Sequence, residues 1–79
     1  MELSVQDKIT IVEQHLQNLE FSLYNLNLTV IEINATSFPN QADLDNLAGQ
    51  IKDNNAKKAA LQKELNALNS QLPSSINQG

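Results

Sequence analysis

Apolar residues recur along this chain in two ladders, each stepping alternately by threes and fours. The first runs Val5, Ile9, Val12, Leu16, Leu19, Leu23, Leu26, Val30, Ile33, and the second Leu44, Leu47, Ile51, Asn54, Lys58, Leu61, Leu65, Leu68, Leu72. Alternating steps of three and four hold one side of a helix against a partner helix, as in the seam of a coiled coil. The ladders mirror each other about Ser37-Phe38-Pro39-Asn40. Opposed positions always sum to 77, as for Val5 with Leu72, Leu16 with Leu61 and Ile33 with Leu44. The pattern predicts an all-α fold, an antiparallel two-helix coiled-coil hairpin zipped along its whole length.

The residues between and beyond the ladders set the expected bounds: a single helical hairpin over 1–79, with helix 4–36, turn 37–40, helix 41–72 and a loose tail over 73–79. Ser4 carries a hydroxyl that can accept from the unpaired amides of a first turn, and Asp7 follows three residues later. Pro39 drives Phe38 out of helical geometry. Asn40 is a good second cap, and Asp43 and Asp45 then face the positive start of the helix. Pro73 cannot continue the second helix. Each helix of ~32 residues gives a rod ~50 Å long at 1.5 Å per residue.

A competing local pattern lies inside the first ladder. Leu26-Asn27-Leu28-Thr29-Val30 alternates with period two, and Val30-Ile31-Glu32-Ile33 is rich in β-branched residues. Both favour a strand that would pair with other copies of the chain. The heptad through the segment is unbroken and matches its partner ladder, so helix is the expected state.

The first helix carries a second apolar stripe. Phe21, Tyr24, Leu28, Ile31, Ala35 and Phe38 occupy the f and b positions, away from the second helix. A helix apolar on nearly every side is normally buried on every side, and a two-helix hairpin covers only one of them. These six residues are therefore the expected oligomer or partner interface. Self-association into a four-helix bundle or higher homo-oligomer is the leading expectation, and a closed dimer is the commonest form. The alternative is an adaptor or chaperone-like module whose stripe captures a partner helix.

The second ladder has a polar step. Asn54 falls at d opposite Leu23, and Lys58 at a opposite Leu19. Polar seam residues weaken a coiled coil but fix its register and oligomer state, so this pair is read as register-setting. Lys58 can extend its ammonium to the seam edge, toward Glu20. Gly49 falls on the outer face of the second helix, where it either admits a close neighbour or is simply tolerated.

Composition narrows the function classes. The chain has 79 residues, no Cys, five Lys and no Arg, and a net charge of −4. Chains this small build thin cores and often depend on disulfides, metals or oligomerisation. Without Cys, and with His15 as the sole His, oligomerisation is left. The charge is uneven: Glu2, Asp7, Glu13, Glu20 and Glu32 oppose only Lys8 in residues 1–36. With no basic patch, neither nucleic acid nor an anionic membrane surface is an expected partner. No apolar run nears the ~20 residues of a membrane span, and the N-terminus lacks the features of a secretory signal. An intracellular location is expected. Asn and Gln make up 19 of the 79 residues, a composition common in small viral and phage proteins. The sequons Asn27-Leu28-Thr29 and Asn34-Ala35-Thr36 are as frequent as chance allows in so Asn-rich a chain.

Candidate chemistry is sparse. His15 lies at g, near Glu64 of the antiparallel partner, with no nucleophile beside it. The carboxylates are scattered over solvated faces, and no Gly-rich phosphate loop or metal-ligand spacing occurs. A narrow rod also offers no concavity to desolvate reacting groups. The expectation is a non-enzymatic structural or interaction protein with no catalytic residues, cofactor or metal site.

Overall fold

The computed structural model describes residues 2–72. The expected tail at 73–79, with Pro73, lies outside the described residues. Two helices, α1 (Val5–Asn34) and α2 (Gln41–Ser70), pack against each other across the connection at 35–40. Every helix and turn contact is local or between these two, so the fold is an all-helical hairpin with no strand among the described residues. Its radius of gyration, 18.1 Å, exceeds the about 12 Å of a compact chain this long, as expected of a rod.

Both starts are capped as the side chains dictate. Ser4 is extended, and its hydroxyl oxygen accepts from the Asp7 amide at 3.0 Å. Asn40 is likewise extended, and its Oδ1 accepts from the Asp43 amide at 3.2 Å. Each cap satisfies one of the amides that a helix start leaves unpaired.

Both ends arrive two residues sooner than expected, at Asn34 rather than 36 and at Ser70 rather than 72. The cause is a tightened last turn. The Thr36 amide donates to the Ile33 carbonyl at 3.1 Å, and the Thr36 hydroxyl takes the same carbonyl at 2.6 Å. The Gln71 and Leu72 amides donate to the Leu68 and Asn69 carbonyls at 2.9 and 3.2 Å. These three-residue spans replace the four-residue spans of an α-helix at its terminus.

The strand-prone segment is helical throughout, since α1 continues from Val5 to Asn34. Thr29 is accommodated because its hydroxyl donates to the Asn25 carbonyl at 3.0 Å, a bond a helical threonine can make four residues back. The tertiary gain of a continuous apolar seam outweighs a propensity deficit of a few tenths of a kcal/mol per β-branched residue.

Burial follows the ladders. All the ladder positions from Val5 to Ile33 and from Leu44 to Leu72 are half-buried or buried, and among the other described residues Thr29 alone joins them. Among the described residues only Ile9 and Leu68 are nearly inaccessible, at 4% and 3% exposed. They are opposite members of one rung, since their numbers also sum to 77. The remaining seam residues stay half open because two cylinders in contact cover only a strip of each other.

Candidate functional site

The outer face of α1 divides sharply along its length. Near the open end its f and b positions carry Asp7, Thr10, Gln14 and Gln17, all exposed. From the midpoint to the end of α1 the same positions carry the apolar stripe, which Ala35 and Phe38 continue in sequence beyond the helix. Phe21 is 60% exposed, Tyr24 65%, Leu28 37%, Ile31 63% and Phe38 93%. Ala35 is exposed as well. The first four lie on α1. Ala35 is its C-cap residue, and Phe38 stands in the connection ahead of Pro39. Leu3 and Ile11, also exposed, are separated from the stripe by polar positions.

A contiguous apolar patch of this kind often marks a contact surface. Its position follows from helix geometry. At about 100° per residue the f and b positions lie about 150° around the helix from the a and d seam. No residue of α2 can reach them.

Asn54 and Lys58 are half-buried in the seam. The Lys58 ammonium reaches out to Glu20, with Nζ 2.9 Å from Oε2. This is the one ion pair among the described residues. Its two numbers sum to 78, one step from the ladder value, so the pair marks the register that the apolar mirror implies. His15 and Glu64 do not pair, despite their facing positions. Both are exposed, where an ion pair gains little against the cost of ordering two side chains.

One feature escaped the pattern of the ladders. A shallow open groove of about 270 Å³ lies across the seam, lined by Ser22, Asn25, Leu26, Thr29, Gln50 and Asn54. It opens where the polar Asn54 replaces an apolar seam residue and short side chains flank the gap. The clue in the sequence is that Ser22, Asn25, Gln50 and Asn54 converge in the sum-77 register. The lining holds no acid, base or thiol, and the Thr29 hydroxyl already donates to its own helix.

Among the described residues, no three His, Asp or Glu side chains gather to hold a metal ion. No described helix is long and apolar enough to cross a membrane.

The fold and the face together define a class: a helical hairpin with one unpartnered apolar side. No family model, curated protein or solved structure matches the chain significantly.

Proposed function

We propose that the protein is a non-enzymatic structural or interaction module, a coiled-coil hairpin that self-associates through the outer stripe of α1 into a four-helix or larger assembly. It would serve as a spacer, assembly factor or accessory piece of a larger complex, of the sort that small viral and phage proteins provide. The observation that carries the reading is the row of Phe21, Tyr24, Leu28, Ile31 and Phe38 left facing water. Burying such a row gains about 25 cal/mol for each Å² removed from water, and a second copy supplies an equally apolar cover. The thin seam supports the same reading, since a hairpin with two nearly inaccessible side chains among its described residues gains stability from any further packing.

The test is mass in solution. Sedimentation across a wide range of protein concentration should give a dimer or higher oligomer. Leu28→Glu with Ile31→Glu should yield a helical monomer, because unpaired charge in an apolar contact is strongly unfavourable. Thr10→Glu with Gln14→Glu, at equivalent positions near the open end, should keep the wild-type mass. A wild-type chain that stays monomeric and binds an apolar helix or dye along the stripe would instead establish the adaptor reading.

A further inference from the structure

Resting on self-association, we infer that the second copy docks antiparallel on the turn-proximal half of α1, about a two-fold axis at Leu28, and that the pair forms a flat, staggered four-helix layer.

Three observations lead there. The first is area. Aromatic side chains offer about 200 Å² each, so the exposed fractions of Phe21, Tyr24 and Phe38 leave about 440 Å² on one copy from these three residues alone. Two copies expose about 900 Å² of aromatic surface. Leu28, Ile31 and Ala35 bring the total toward the about 1,200 Å² at which specific interfaces begin. A second copy thus offers area at the low end of the range, that of a weak, reversible contact.

The second is self-complementarity. Leu28 stands midway between Phe21 and Ala35 in sequence. A two-fold axis there sets the bulky Phe21 of each copy against the small Ala35 of the other, and brings Tyr24 near Ile31. The flanking acids do not oppose this. The two Glu32 side chains lie about 12 Å apart along the axis at 1.5 Å per residue, and each Glu20 is already paired with its own Lys58.

The third is direction. The polar Asp7, Thr10 and Gln14 occupy the same face toward the open end, so the contact ends near Gln17, where Phe38 of the other copy falls. Antiparallel docking leaves those ends pointing away from each other, with the two Val5 residues about 70 Å apart. Because the stripe lies about 150° from the seam, each α2 sits on the far side of its α1. The four helices lie side by side and do not close around one core.

The chain has no Cys, so a single introduced thiol reports alone. Leu28→Cys should form a disulfide-linked dimer on oxidation, and Lys63→Cys on the outer face of α2 should not. Spin labels on Gln14→Cys, which leaves Leu28 in place, should lie about 40–45 Å apart, from the 1.5 Å rise over twice fourteen residues. An oligomer whose Gln14 labels are within about 20 Å, as in same-direction docking or contact of α1 with a neighbour's α2, would overturn the two-fold arrangement and leave self-association standing. A wild-type monomer by mass would overturn both.

Discussion

The Lys58 ammonium stands 2.9 Å from the Glu20 carboxylate, bridging α2 to α1 at the one place where the seam is polar. The pair sits at the edge of the hairpin, with side chains 39% and 59% exposed. Water and salt therefore screen it. A double-mutant cycle on Glu20→Gln and Lys58→Gln should give a coupling of about 0.2–1 kcal/mol in chemical denaturation. The coupling should shrink as salt is raised. A coupling that salt leaves untouched would mean the pair is far drier than its exposure implies.

The polar step should cost stability. Asn54→Leu with Lys58→Leu would put apolar side chains at two half-buried seam positions, and full burial of a Leu is worth about 1.5–3 kcal/mol. Half-burial should leave about 1 kcal/mol per site, seen as a rise in Tm. The polar groove at Ser22 and Gln50 should narrow, and oligomer specificity should relax with it. A drop in Tm would show that the groove's polar lining stabilises the hairpin.

Seam and stripe should differ in what they support. Leu68→Ala removes one of the two nearly inaccessible side chains and should cost about 2–5 kcal/mol of folding stability. Phe21→Ala removes a side chain that its own hairpin leaves 60% exposed. It should lower the oligomer's mass at a given concentration while sparing the helicity of the chain. Circular dichroism and sedimentation on the same two variants separate the effects.

Gly49 lies on the outside of α2, and a Cβ there would meet no atom within 4 Å. Gly49→Ala should raise stability by about 1 kcal/mol, the helix-propensity difference between the two residues. The mass of the assembly should not change, because a flat layer leaves this face in water. Loss of assembly in this variant would place a neighbouring copy against α2.

The caps make a separable contribution. Ser4→Ala removes the acceptor for the Asp7 amide, and Asn40→Ala the acceptor for the Asp43 amide. Each should cost about 1 kcal/mol. The Asn40 change should cost the more cooperatively, since it loosens the start of α2 beside the turn. A urea melt of each variant checks the magnitude.

Much of the fold is legible in the sequence. The two ladders are local records of a 3.6-residue helix, and their mirror about Pro39 encodes the hairpin and its register. Ser4 and Asn40 announce the helix starts because capping depends only on residues three apart in the chain. The stripe was legible too, since Phe21, Tyr24, Leu28 and Ile31 share a face of any helix that contains them. Where local signals competed, the tertiary structure decided. Residues 26–33 could pair as a strand on propensity alone, and only the unbroken seam with α2 makes them helical. The helix ends were decided by which carbonyls the Thr36 and Gln71 amides could reach once the turn had closed. The same is true of the groove at Asn54, whose side chains belong to both helices, and of the absent His15–Glu64 pair. Periodicity along one chain carries direction, so the sequence determined which faces are apolar and which partner each rung meets. How closely side chains from different helices approach depends on their lengths, their solvation and the space left by their neighbours, and those are settled only when the two helices are in contact.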